Sequence, residues 1–400
     1  MSDPLPAPAE RLITLDFMRG VAVLGILLMN IVAFAWPEAA AFSPRVPFGP
    51  QGRGDEAVFL VEFVLVEGKF RGLFSLLFGA SMVLLVERTD AAGEDGPALQ
   101  RRRLGWLAAF GLAHYFLLWW GDILFLYAVC GLFALAFIDW PARRLVALAL
   151  PLYAVGVVWL GALTASGAAP WLGGAGSPEQ AAATTARRFA REAAVESRAY
   201  LASWPDKVTY QVAHHWDGPL LAVATTALET LPLMLLGMAL LRCGLLRGEW
   251  PPRRTFTCAC GGIAVGLAMT VPLALWLRNT GYPLPLAIFV GAAAAAPGRL
   301  ALTLGYAALL VLLARALAGS AGGERITAAG RMAFSNYLGT SLLMAGLFQG
   351  WGFGLYGRLS RVELLGVVAC GWVVMLVWSR PWLARYRQGP LEAVWRRLTR

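Results

Sequence analysis

The sequence predicts an all-α, polytopic integral membrane protein with about ten transmembrane helices and both termini in the cytoplasm. Three observations predict it. Hydrophobic residues make up 58% of the 400 positions and charged residues only 14%, against roughly 25% charged in soluble proteins. Apolar runs of about 18 to 25 residues, long enough to cross a ~30 Å hydrocarbon core as helix, recur along the whole chain. The 34 basic residues, of which only Lys69 and Lys207 are lysine, cluster in short segments between those runs, as positive-inside topology requires.

The runs fall near 14–36, 69–87, 103–120, 122–139, 144–164, 218–241, 254–277, 299–318, 331–351 and 361–379. A further apolar stretch, Val58 to Val66, is interrupted by Glu62 and reads as interfacial or re-entrant. Pro285 to Ala296 is too short to span alone; as a half-helix it would raise the count to eleven. With the N-terminus inside, the cytoplasmic segments hold twenty basic residues and the short outer segments eight. The chain reads as one transmembrane domain over 1–400, with a large periplasmic loop at 166–217 and a basic cytoplasmic tail at 380–400. Within the loop, Glu179 to Tyr200 is Ala-rich with mixed charge and predicts an exposed helix. The first run follows a Pro-rich acidic stretch, Asp3 to Glu10, without a basic cluster, so it reads as a retained helix and not a cleaved signal. The expected location is a bacterial inner membrane, with the lipid bilayer as partner.

Several classes are disfavoured. The net charge of +10 follows membrane topology, so no nucleic-acid partner is expected. The five cysteines lie in or beside apolar runs; Cys258-x-Cys260 lacks a second ligand pair, and His214-His215 lacks carboxylate or Cys neighbours. No metal site and no permanently bound cofactor are expected. P-loop, dinucleotide and soluble-hydrolase signatures are absent.

Ionisable groups inside spans are expensive and mark candidate sites. At about 100° per residue, Asp16, Arg19 and Asn30 share one face of the first run within about 60°, and Asn30 lies ~21 Å beyond Asp16. That polar stripe predicts a cavity-lining helix. Lys69 and Arg71, with Ser75 below them, are either snorkelling anchors or an anion site. His114 lies about two turns before Gly121-Asp122; a histidine there suits a general base, with Asp122 as the next helix's N-cap. Glu229 sits near mid-membrane beside Pro232, either protonated or paired. Arg331, Asn336 and Tyr337 open the ninth run and either bond neighbouring helices or line a cavity.

Leu15-Asp16-Phe-Met-Arg19-Gly20, Lys69-Phe-Arg71-Gly-Leu-Phe-Ser75, His114 with Gly121-Asp122, Gly330-Arg331-Met-Ala-Phe-Ser335-Asn336-Tyr337 and Gly389-Pro390-Leu391-Glu392-Ala-Val-Trp395-Arg396 resemble, together and in order, the YeiB-like family of bacterial membrane proteins, a domain of unknown function. More distantly, the first span resembles the transmembrane acyltransferase superfamily, which includes the heparan-α-glucosaminide N-acetyltransferase group and the polysaccharide O-acyltransferases. Asn30 stands where the O-acyltransferases carry a catalytic His, as in the heparan group. That group's second histidine, after the first span, has no counterpart between Ile31 and Lys69. The resemblance implies acyl transfer from cytoplasmic acyl-CoA, as co-substrate, to an envelope glycan or lipid acceptor. His114, Asp122 and Asp16 are then the candidate catalytic residues, with Asp16 and Arg19 shaping the cytoplasmic mouth and Arg331 pairing phosphates. Arg19, Asn30, Lys69, Arg71, Ser75, Glu229, Arg331, Asn336 and Tyr337 are the candidate binding residues. The alternative is a transporter or flippase without acyl chemistry. The oligomeric state, including a homo-oligomer, is left open.

Overall fold

Residues 13–45, 48–50 and 52–399 are described by a computed structural model; Asp3 to Glu10, Arg11 and Arg400 lie outside them. The described residues are helical with no strand. In chain order the helices are α1 (Ile13–Ala35), α2 (Asp55–Leu65), α3 (Lys69–Ala91), α4 (Gly96–Leu117), α5 (Leu124–Leu135), α6 (Ala142–Ala168), α7 (Pro178–Tyr200) and α8 (Trp204–His215). They continue with α9 (Gly218–Arg242), α10 (Pro252–Asn279), α11 (Leu284–Phe289), α12 (Ala296–Ala316), α13 (Ala321–Arg331), α14 (Ala333–Phe348), α15 (Arg361–Arg385) and α16 (Pro390–Thr399).

Seven of the described segments are long and apolar enough to cross a membrane, the α2–α3 pair counting as one. α6, α10 and α15 expose Val158, Trp159, Val265, Met269, Val373 and Val377, a surface suited to lipid and not to water. The chain is thus a multi-pass membrane protein. α1 forms its axis: 67% of its apolar window is buried, against 22% for α6 and for α10.

Two expected spans are shorter than read. α5 has 12 residues, ~18 Å of helix, and α14 has 16. Both carry a largely buried face inside the bundle, so their length follows packing and not lipid thickness. α4 begins earlier than expected because the Asp95 side chain accepts from Ala98 N at 2.7 Å and caps it. Arg101 to Arg103 therefore lie inside the helix. The run Pro285 to Ala296 is helical, in keeping with the half-helix reading. α11, a π turn at Val290–Ala294 and α12 follow one another with only Ala295 between, making one interrupted helix. The loop helix appears as α7, and a second helix, α8, follows it unforeseen.

The Ala35 end of α1 is sealed by loops: Trp36 Nε1 donates to Leu359 O at 2.9 Å, and Gly350 N donates to Tyr200 O at 2.8 Å. At the Ile13 end, α13 crosses α1 at glycines. A Cβ on Gly330 would lie 1.8 Å from Asp16 O, and one on Gly20 2.0 Å from Ile326 O. No larger residue fits this crossing without moving backbone.

Candidate functional site

α4 ends in a tight turn before α5, and that turn sets the site. Three side chains occupy the last carbonyls of α4. Trp204 Nε1 donates to Leu117 O at 2.9 Å, and Lys207 Nζ and Gln349 Nε2 each donate to Leu118 O at 3.0 Å. A cation at a helix C-terminus is favoured by the macrodipole. That explains a fully buried Lys207 on α8, although burial pulls its pKa down to about 8.

Within this frame His114 Nδ1 stands 2.9 Å from Asp122 Oδ1, and both side chains are almost wholly buried. The other carboxylate oxygen, Oδ2, accepts from Phe125 N at 2.9 Å. The N-cap of α5 is Ile123 and not Asp122 as expected; Asp122, one residue earlier, bonds the first turn of α5 and orients His114 at the same time. His114 Nε2 is buried with no hydrogen-bond partner among the described residues. Tyr337 of α14 packs 5.3 Å from the imidazole, ring centre to ring centre, with its hydroxyl 3.4 Å from Gly121 O and from Ile123 N. Beside Tyr337, a cavity of about 10 Å³ lies between α1 and α14, lined by Asn30, Phe34, Tyr337, Thr340 and Ser341 among others. That is room for about one water.

Asp16 is not brought to His114. It pairs with Arg19 at 2.6 Å, and Arg19 also donates to Ser81 Oγ of α3 at 3.0 Å. Asp16 and Arg331 instead line a cleft of about 730 Å³ at the Ile13 end, together with Phe17, Leu317, Glu324, Arg380 and Leu383. Arg380 is tied to Glu324 at 2.8 Å, and Arg331 donates to Arg387 O at 3.2 Å. The cleft and the small cavity share no lining residue. Met18 and Ala22, between them on α1, are fully buried.

Asn336 is bonded at both ends of its amide. Its Nδ2 donates to Ala329 O (2.9 Å) and Ser379 Oγ (3.1 Å), and its Oδ1 accepts from Trp378 Nε1 (2.8 Å). With these bonds made, it locks α14 to α13 and α15.

Glu229 is paired, by Arg71 Nη2 at 2.9 Å and Arg299 Nε at 2.9 Å. Lys69 does not snorkel: it is fully buried and donates to Phe63 O at 2.6 Å. Ser75 Oγ lies 2.7 Å from the Tyr127 hydroxyl, and Tyr127 donates to Arg71 O at 3.0 Å. Arg299 and Tyr127 were not foreseen. Arg299 reads as a flanking arginine once the interrupted helix is split in two at Ala296. Tyr127 stands in the family-like stretch Gly121-Asp122-Ile-Leu-Phe-Leu-Tyr127, where no role was assigned to it.

A family described as protein of unknown function (DUF418) matches residues 240–400. The chain is 32% identical to the uncharacterized protein YeiB of Escherichia coli K12 over 98% of its own length and 96% of the relative's. It is 27% identical to the uncharacterized protein YxaH of Bacillus subtilis 168, over 98% and 94%. An uncharacterized 39.9 kDa protein of Bacillus acidopullulyticus, from the amylase 3′ region, is 26% identical over 99% and 96%. No solved structure matches the chain.

Proposed function

We propose, from the premise that the chain belongs to the YeiB-like DUF418 family, that it is a membrane acyltransferase moving an acyl group from cytoplasmic acyl-CoA to an envelope glycan or lipid. The carrying observation is the His114–Asp122 pair, buried among apolar helices with Nε2 unengaged. In this reading ten crossings (α1, α3, α4, α5, α6, α9, α10, the interrupted α11–α12, α14 and α15) put both termini in the cytoplasm of a bacterial inner membrane. The Ile13 end then faces the cytoplasm and α7–α8 the periplasm.

Arg331 and Arg380 would pair donor phosphates at the cleft, whose apolar side accepts the acyl arm. Asp122 keeps the proton on His114 Nδ1, so Nε2 takes the proton from the acceptor hydroxyl or amine. The acceptor atom bonds to the acyl carbon, the carbon–sulfur bond breaks, and the thiolate takes the proton from Nε2. Asn30, Tyr337, Thr340 and Ser341 line the small cavity and would supply the donors for the developing oxyanion. The packed stretch between cleft and cavity must open for the acyl group to pass.

That closure favours a second reading, a transporter with one-sided access, and the π turn in α11–α12 fits the broken helices of that class. Thiol release from acetyl-CoA by the purified protein, with envelope lipids present, separates the two. We expect His114→Ala to lower the rate at least about a hundredfold with CoA binding intact. An unchanged rate in that variant sinks the assignment; proton-coupled uptake without CoA binding supports transport.

A further inference from the structure

A second polar cluster, unused by the His114 site, lies where α3, α9 and α12 meet. Glu229 holds Arg71 and Arg299. Arg299 Nη1 also donates to Gly291 O of the π turn at 2.8 Å and stands 3.4 Å from Glu67 Oε2. Lys69 lies buried beside them. Glu67, Lys69, Arg71, Glu229 and Arg299 are the charged side chains gathered here. Three cations therefore face two carboxylates, an excess of one positive charge. The cluster also receives the N-terminus of α3 at Lys69, equivalent to about half a positive charge.

An uncompensated charge away from water is costly to keep. The surplus is not spread evenly. Arg299 and Glu229 side chains are only 4% and 8% exposed, whereas Arg71 is 25% exposed. Arg71 engages one of its five donors, through Nη2 to Glu229, among the described residues. Arg71 lies within the apolar Asp55–Ala91 segment, which is long enough to cross a membrane. The available counter-charge is thus an anion that reaches Arg71 within this apolar segment.

We propose that Arg71, backed by Lys69 and Arg299, binds one phosphate group at membrane depth. A guanidinium presents paired donors that match phosphate oxygens, and the apolar surroundings suit a lipid phosphate more than a free one. The proposal stands apart from acyl transfer: an inactive His114→Ala protein would still bind.

The test uses the full-length protein in detergent, read by native mass spectrometry and thermal unfolding. Phosphatidylglycerol, diacylglycerol and inorganic phosphate are added separately. We expect phosphatidylglycerol to bind and raise Tm, and diacylglycerol, which differs by the phosphate, to do neither. Arg71→Gln should weaken binding about ten- to a hundredfold, the value of a charge-assisted bond. Without lipid, that variant should be at least as stable as wild type, because it removes the surplus charge. A shift with inorganic phosphate alone, lost in Arg71→Gln, would assign the site to a soluble phosphate. Lipid effects equal in wild type and Arg71→Gln, or equal for diacylglycerol, overturn the proposal.

Discussion

Asp122→Asn tests the site with little disturbance of the fold. The aspartate serves two donors at once, His114 Nδ1 and Phe125 N, each at 2.9 Å. Asparagine has one oxygen and one NH₂ in the same shape. Phe125 N–H can only donate, so the new oxygen must face it; the reverse orientation would set two donors against each other and leave Phe125 N without its acceptor. The NH₂ therefore faces His114 and donates to Nδ1, and the imidazole proton moves to Nε2. A bond to a charged acceptor, worth about 1.5–3 kcal/mol, becomes a neutral one of about 1 kcal/mol. We thus expect a stability loss on the order of 1 kcal/mol, and a folded protein. The chemical effect is larger, because Nε2 can no longer accept a proton. Amidating a carboxylate that orients a catalytic imidazole costs up to about 10⁴ in rate. The structural half needs no substrate. The chain has three histidines, so ¹⁵N-histidine NMR resolves them, and loss of one signal in His114→Gln assigns His114. Wild type should show the proton on Nδ1 and Asp122→Asn should show it on Nε2. An unchanged tautomer in the variant refutes the orienting role of Asp122, and an unchanged acyl-transfer rate refutes the base assignment.

Two further outcomes follow from contacts at the ends of the bundle. Burial raises the Glu196 pKa to about 7, with Glu38 adding to it and the 3.1 Å bond from the Tyr356 hydroxyl opposing. A raised carboxylate pKa means the folded state holds the proton more tightly. Stability from this group is therefore present below about pH 4.5 and lost as pH climbs through about 7. The shift corresponds to at most about 3 kcal/mol, and partial exposure lowers that. Glu196→Gln should raise Tm at pH 8 and flatten the difference between pH 5 and 8; an unchanged pH slope refutes the reading. At the other end, Glu392 Oε1 accepts from Phe334 N (3.0 Å) and Ser335 N (3.2 Å), the first turn of α14, while Trp395 Nε1 donates to Arg103 O at 3.0 Å. Glu392→Ala removes a helix cap worth about 0.5–2 kcal/mol. It should make α16 more sensitive to limited proteolysis than in wild type, and an equal cleavage rate would show that the latch does not hold α16.

Much of the fold was legible because the hydrophobic pattern is a local signal: α1, α9 and α10 lie within two residues of where apolar runs placed them. The closeness of His114 and Asp122 was legible for the same reason, being eight residues apart across one tight turn; that Asp122 is the partner was not. Glu229 and Arg299 are 70 positions apart, and a π turn breaks the helix of Arg299 so that it reads as two runs. The motifs around Ser335 and Glu392 were both visible, but their mutual bonds run between segments whose approach no periodicity encodes. The least legible property was which buried polar groups have their bonding completed. Asn336 and His114 are both polar residues inside apolar helices, and composition treats them alike. Asn336 spends its amide on three partners and is thereby fixed as a lock, because any ligand would have to break a bond already made. His114 spends one nitrogen on Asp122 and keeps the other open, so a proton can be exchanged there without dismantling the helix contacts that hold it.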